Sequence, residues 1–265
     1  MSEIVWSWSR LNTYHSALEG EGCFHLFNQQ YNIGNRGENN YFAEYGTLVH
    51  ETTERLHNGS LIAWDLEEEL RRGLNNFHYK VPFQKMKASY ENSLFKFFEE
   101  FEDVFNDYTI TQAEELKHFK VDQIKLKGFP DMFAHHREYG RVIGDYKTSR
   151  VYDTKKMKHN IMQLYLYSIP YYNEFGLYPE NLVYIFPREK ENRERVFKFE
   201  IEELERTKQW VRDTARKVLN HKDAWTPRCK TVDGKKDFFA SQLCNLRNQC
   251  AFRYSYVHRN EFTPY

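Results

Sequence analysis

Gly128-Phe129-Pro130-Asp131-Met132-Phe133-Ala134-His135-His136-Arg137-Glu138-Tyr139-Gly140-Arg141-Val142-Ile143-Gly144-Asp145-Tyr146-Lys147-Thr148-Ser149 is the stretch on which the rest of the chain turns. Apolar and β-branched runs flank a turn at Arg137-Glu138-Tyr139-Gly140, the signature of a β-hairpin. If the loop holds an odd number of residues, three or five, Asp131 on the first strand lies directly opposite Asp145 on the second. Side chains alternate along a strand, so Lys147 shares the face of Asp145. Two carboxylates and one ammonium then meet on one patch. Carboxylates opposed across a sheet repel, and a divalent cation would relieve them. The competing expectation is a solvated hairpin face with a cross-strand Asp–Lys pair.

Outward from the hairpin, the N-terminal side predicts a short strand running into a helix over 5–15, capped by Ser7 or Ser9. The Gly-, Asn- and Gln-rich segment 20–40, which contains Cys23, is expected to be irregular. Helices are predicted over 43–57, carrying His50 and ended by Asn58-Gly59, over about 62–75, and over 89–107. In the last, Tyr90, Leu94, Phe97, Phe98 and Phe101 form one apolar stripe, which is core. Strands are expected at 109–116, 119–127, 130–136 and 141–147. A helix over 154–172, strands at 182–186 and 196–200 and a helix from 201 to about 219 complete the pattern. This order predicts an α/β or α+β sheet flanked by helices.

The 265 residues carry enough apolar side chains for a substantial core. Lys+Arg and Asp+Glu both number 38, so any nucleic-acid surface must be a local basic groove and not a global charge. No apolar run approaches a membrane span and no signal-like N-terminus is evident, so a soluble cytoplasmic protein is expected. One continuous domain over 1–265 is expected, with a helical insertion at about 60–108 and a cysteine-bearing tail from about 225. Helicase chemistry finds no G-x-x-x-x-G-K-[ST] loop.

Five pieces stand together in one order. Ser7-Trp8-Ser9-Arg10-Leu11-Asn12-Thr13-Tyr14 fits S-x-S-x-L-x-x-Y, and Gly46-Thr47-Leu48-Val49-His50 fits G-x-x-x-H. Gly128-Phe129-Pro130-Asp131 fits G-x-x-D, Asp145-Tyr146-Lys147 fits D/E-x-K, and Gln163 with Tyr167 fits Q-x-x-x-Y. The set resembles the PD-(D/E)XK nuclease superfamily, in the branch of RecB-like exonucleases that includes AddB-type and CRISPR-associated nucleases. The resemblance implies an α/β restriction-endonuclease-like core with a central mixed β-sheet. It implies a metal held by His50, Asp131, Asp145 and the Tyr146 carbonyl, with Lys147 as the catalytic lysine and Gln163 and Tyr167 beside it. Mg²⁺ or Mn²⁺ would serve, the imidazole favouring Mn²⁺. His57, His135 and His136 are not implicated. Glu115 stands where some relatives carry an acidic residue before the hairpin, with Glu114 an equal candidate; a supporting group near the site and a solvated strand end are the alternatives for both. Gln163 and Tyr167, one helical turn apart, share a face. Lys155, Lys156, Lys158 and His159 are either phosphate contacts or a solvated helix start.

The cysteines Cys23, Cys229, Cys244 and Cys250 divide one and three, as in relatives that hold a [4Fe-4S] cluster. Cys244 and Cys250 keep the relatives' x5 spacing. Cys229 stands farther from Cys244 than the pattern requires, and Cys23 farther from Tyr14; both gaps look like loop insertions, which cost little in closure entropy. A cluster would join the N- and C-terminal segments. Zn²⁺ or unliganded thiols are the alternatives. Phe24, Phe27, Tyr31 and Phe252 are candidates for stacking on single-stranded bases or for packing near the cysteines. The implied activity is that of a metal-dependent DNA exonuclease acting on ends or single strands in recombination, repair or phage DNA processing, possible partners being a helicase or recombination protein. A non-catalytic DNA-binding or assembly subunit and a structure- or sequence-specific endonuclease are the alternatives.

Overall fold

In the computed structural model, which describes residues 4–227 and 238–250, the central stretch forms the hairpin of β4 (Met132–His136) and β5 (Gly140–Tyr146). Its loop holds three residues, since His136 pairs with Gly140 and Met132 with Gly144. Gly140 closes the loop at φ 66°, a left-handed backbone that glycine adopts without strain. His136 Nδ1 faces the N–H groups of Glu138 and Tyr139, each at 3.1 Å, and pins the turn.

Around this hairpin a mixed sheet runs in the order β1 (Tyr108–Ala113), β4, β5, β6 (Asn181–Ile185) and β7 (Glu194–Lys198). Only β5 and β6 pair in parallel, so the chain must cross over between them. The crossover carries α7 (Thr154–Asn160) and α8 (Met162–Phe175). Before the sheet come α1 (Trp8–Leu18), the single turn α2 (Phe24–Phe27) and α3 (Tyr41–His57). They are followed by α4 (Leu66–Asn75), α5 (Gln84–Glu99) and α6 (Phe101–Phe105). After β7 comes α9 (Ile201–Leu219).

The alternation of strand side chains sorts the core into two layers. Phe133, Ile143, Leu182 and Tyr184 face α8 and α9, packing on Leu164, Leu166, Leu204 and Val211. Met132, Ala134, Val142, Val183 and Ile185 face the opposite way, onto Tyr45 and Val49 of α3 and Leu94 and Phe97 of α5. Helices on both faces of a mixed sheet are what a restriction-endonuclease-like core requires.

Several boundaries differ from expectation, each for a local reason. The strand expected over 119–127 is a tight hairpin, β2 (Lys117–Val121) and β3 (Ile124–Gly128), turned at Asp122, whose φ is 52°. Asp tolerates that backbone better than most residues, so a continuous β-prone run can fold back. It forms a separate two-stranded sheet, joined by Trp6, whose N–H donates to the Lys125 carbonyl at 2.8 Å. The expected strand near residue 5 is only this bridge. Ser7, not Ser9, caps α1, its Oγ accepting from the Arg10 N–H at 3.2 Å. The helix expected over 89–107 is broken at Glu100, which leaves helical backbone at φ −94° and ψ 10°. The segment expected to be irregular holds α2 and a wide turn over Asn28–Ile33. Among the described residues no helix is long and apolar enough to cross a membrane.

Candidate active site

The register of the hairpin brings two carboxylates together. One step beyond the Met132–Gly144 pair sets Asp131 against Asp145, on the sheet face of Phe133 and Ile143. Both are almost fully buried, at 5% and 2% exposure. Burial first, and then the charge of Asp145, hold the Asp131 carboxyl well above the ordinary carboxylate range, while His50 and Lys147 oppose the rise. The backbone N–H of Tyr146 donates to Asp131 Oδ2 at 2.7 Å and fixes that carboxylate.

Lys147 follows on the same face. Its Nζ lies 2.5 Å from Asp145 Oδ2, an ion pair that leaves the oxygen without a well-directed hydrogen bond. Nζ also donates to Gln163 Oε1 at 3.0 Å, and Gln163 Nε2 donates to the Tyr167 hydroxyl at 3.3 Å. Burial works against the charged lysine, but Asp145 outweighs it and the ammonium is retained. The expected helical face of Gln163 and Tyr167 is therefore turned onto Lys147. Gly128 makes room for it: a Cβ there would sit 2.5 Å from Tyr167 Cε1.

His50 reaches the cluster from α3. Gly46, one turn earlier, lies where a Cβ would be 3.5 Å from Thr148 Oγ1, so the helix packs beside the loop that follows Lys147. His50 Nδ1 is 2.9 Å from Glu114 Oε1 and 3.4 Å from Asp131 Oδ2. Burial alone would lower the imidazole, but Asp131, the hydrogen-bonded Glu114 and Asp145 outweigh it and raise it to about 9. His50, Glu114 and Asp131 bring ligand atoms within 4.8 Å of one another.

Of the two acidic candidates before the hairpin, Glu114 is the one at the site and Glu115 is not. Glu115 is exposed and pairs with Lys117 at 2.8 Å. Glu114 stands at φ 51°, outside the pleat of β1, with its N–H directed at the carbonyls of Pro130 at 3.1 Å and Asp131 at 3.3 Å. A left-handed backbone costs a residue with a side chain roughly 1–2 kcal/mol, and here it turns the carboxylate inward.

Several neighbouring residues have partners of their own. The Tyr146 ring points to the opposite face, its hydroxyl 2.6 Å from His57 Nε2, and burial lowers that imidazole to about 4. His136 stacks on Tyr139 with centroids 4.0 Å apart. His159 meets Asn12 Oδ1 at 2.7 Å, and Lys156 lies over the Tyr152 ring, so these belong to local packing. Phe27 is fully buried core. Cys23, Cys244 and Cys250 meet in a small apolar cluster with Leu26 and Leu246. Cys229 and Phe252 lie outside the described residues.

Beside Asp131 opens a hollow of about 790 Å³. Arg10, Arg36 and Lys127 give it positive charge, and Trp8, Tyr31 and Phe129 give it aromatic walls. Nothing local in the sequence marks these basic residues as a set, because they come from three separate segments.

Residues 5–253 match the family model of the PD-(D/E)XK nuclease superfamily. The chain belongs to that superfamily. Members of the PD-(D/E)XK superfamily are nucleases that use divalent metals, and the donor set here suits one: an imidazole and two carboxylates from three separate elements, beside a third buried carboxylate. No curated protein matches the sequence significantly. Among solved structures, the crystal structure of SSO0001 is similar at 16% identity, over 96% of this chain and 88% of that one, with a TM-score of 0.39.

Proposed function

We propose that this member of the PD-(D/E)XK superfamily is a DNA exonuclease that hydrolyses phosphodiester bonds at ends or in single strands. The convergence of His50, Glu114 and Asp131 beside the Asp145–Lys147 pair carries this reading. His50, Asp131 and Asp145, with Glu114 and the Tyr146 carbonyl, would hold Mg²⁺ or Mn²⁺. Such an ion, when bound, polarises the phosphodiester and makes a water more acidic. Lys147, as an ammonium, places a donor and a positive charge where the non-bridging oxygens gain charge. Gln163 and Tyr167 keep that ammonium from swinging away, and Asp145 anchors it from the other side. Phe129, 51% exposed on the wall of the hollow, and Tyr31 offer ring faces to unpaired bases. Arg10, Arg36 and Lys127 suit the backbone. A helicase or recombination partner would supply ends in recombination, repair or phage DNA processing.

Asp145→Ala and Lys147→Ala should each abolish cleavage of end-labelled DNA while leaving the circular dichroism spectrum unchanged. EDTA should stop the wild-type enzyme, and Mn²⁺ or Mg²⁺ should restore it. A purified variant that still digests the substrate would remove this mechanism. Cutting of closed circular DNA would point instead to an endonuclease, and binding without cleavage to an assembly subunit.

The thiol cluster supports a second assignment, a [4Fe-4S] cluster on Cys23, Cys244, Cys250 and Cys229, with Zn²⁺ as the alternative. Burial raises the Cys244 thiol to about 11, so without a bound cation that thiol stays protonated. The Leu26 N–H is directed at Cys23 Sγ at 3.4 Å, which caps α2 and orients that sulfur. Anaerobic preparation should give about four irons and four sulfides per chain, the stoichiometry of such a cluster. A colourless, iron-free and active protein would retire the cluster and leave the nuclease standing.

A further inference from the structure

A second basic hollow, of about 320 Å³, lies between α5 and the loop after β6. Lys96, Arg188, Lys190 and Arg193 line it, with Ser89, Asn92 and Ser93 as neutral hydrogen-bonding groups. Two carboxylates offset part of this charge. Glu100 pairs with Arg193 and stands 3.5 Å from Lys96, and Glu189, in the lining, accepts from the Val151 N–H at 3.4 Å. Arg188 and Lys190 have no carboxylate partner among the described residues. The Arg188 guanidinium lies 3.6 Å from the centroid of the Tyr90 ring, which holds it in place, and its Nε is buried with no hydrogen-bond partner. A guanidinium held over a ring, beside a second cation without a carboxylate partner, is suited to a phosphate oxyanion.

The position of this hollow follows from the sheet. Because β5 and β6 run parallel, the loops that follow them leave from the same edge, where ligands gather in sheets of this kind. The first loop carries Lys147 and, three residues on, Arg150. The second carries Arg188 and Lys190. The Val151–Glu189 hydrogen bond ties the two together. The cleft beside Asp131 belongs to the α8 face, through Gln163 and Tyr167, whereas the second hollow belongs to the α5 face.

We propose that the hollow around Arg188 and Lys190 is a second backbone-phosphate site, which holds a phosphodiester a few nucleotides from the one at Lys147. The proposal rests on the nuclease reading. Its lining has no exposed aromatic face for a base, so it grips any sequence alike and sets the length of strand that binds well.

The test is fluorescence anisotropy in EDTA with labelled single strands of about 4 and about 20 nucleotides, on wild type and on Arg188→Gln/Lys190→Glu. Glutamine removes the charge while keeping an unbranched polar side chain at position 188, and thermal unfolding of the variant verifies the fold. The long strand should bind the variant on the order of tenfold more weakly, and the slope of log affinity against log salt should fall by about one to two. The short strand should bind both proteins equally. Orthophosphate should compete with the long strand in wild type and not in the variant. A folded variant with the wild-type affinity and slope for the long strand overturns the proposal while cleavage by wild type keeps the nuclease reading. Orthophosphate that stabilises wild type against heat without touching strand affinity makes the hollow a free-phosphate site and also overturns it. A wild-type protein that binds neither strand overturns the proposal, and its cleavage with Mn²⁺ decides the nuclease reading separately. Should Arg188→Gln/Lys190→Glu not fold, Lys190→Glu alone, at an exposed position, must still lower affinity and slope for the long strand.

Discussion

Replacing Gly128 by alanine would add one methyl group at the most crowded point beside the candidate site. The new carbon would lie 2.5 Å from Cε1 of Tyr167, 3.0 Å from its hydroxyl and 3.2 Å from Cζ, where ordinary contact begins at 3.4 Å. The ring must therefore retreat by about 0.9 Å, and Tyr167, 5% exposed, has little free space to enter. Its hydrogen bond with Gln163 already spans 3.3 Å, so that retreat breaks it and loosens the Gln163 hold on Lys147. Overpacking costs about 1–3 kcal/mol and the lost hydrogen bond about 0.5–1.5 kcal/mol, so Gly128→Ala should destabilise the protein by roughly 2–4 kcal/mol. Urea unfolding measures the loss, and single-turnover digestion should show the chemical step falling more than substrate affinity. Tyr167→Leu removes the obstructing ring, so the double variant should regain about 1–2 kcal/mol relative to additivity. A Gly128→Ala protein within about 0.5 kcal/mol of wild type, with an unaltered chemical step, would refute the link from Gly128 through Tyr167 to Lys147.

Two further expectations separate near neighbours. Glu114→Gln should weaken Mn²⁺ binding by about tenfold or more, in the range seen when groups around a metal are altered, whereas Glu115→Gln should leave it unchanged; calorimetry on both decides which carboxylate belongs to the centre. His159 should give stability a pH dependence of definite sign. Burial, then His15, lowers it to about 4 in the folded protein. The unfolded chain takes up a proton near pH 6.5 that the folded one refuses, so stability should fall as the pH drops from about 6.5 towards 4 and level off below. Urea midpoints of wild type minus those of His159→Asn should trace that window; a flat difference would contradict it.

The hairpin is legible in the sequence because strand periodicity is local and Gly140 marks the turn, whereas the choice of a three- over a five-residue loop comes only from the His136–Gly140 pairing. Once the loop length is odd, the meeting of Asp131 and Asp145 follows from the pleat alone. The shared face of Gln163 and Tyr167 follows equally from helical spacing. Glu114 could not be separated from Glu115, because the choice depends on a left-handed backbone at one residue that composition does not encode. The β2–β3 fold-back was hidden for a similar reason: its turn has no glycine or proline, only Asp122 in an unusual conformation. The Arg188 hollow lay beyond reach for another reason, since it combines α5 with a loop about 90 residues later, a pairing set by the parallel crossover.

One wall of the cleft is built from both ends of the described chain. Gly37, at φ 67°, leaves room only for a hydrogen where a Cβ would strike the Asn245 carbonyl oxygen at 2.3 Å. The Glu38 N–H donates to that same carbonyl at 2.8 Å, and Asn40 donates to the Leu243 carbonyl at 3.1 Å. During synthesis the candidate metal ligands and Lys147 therefore leave the ribosome roughly a hundred residues ahead of the strip that completes this wall. A chain that ends before residue 243 should therefore lack part of the cleft wall while retaining every residue proposed to hold the metal.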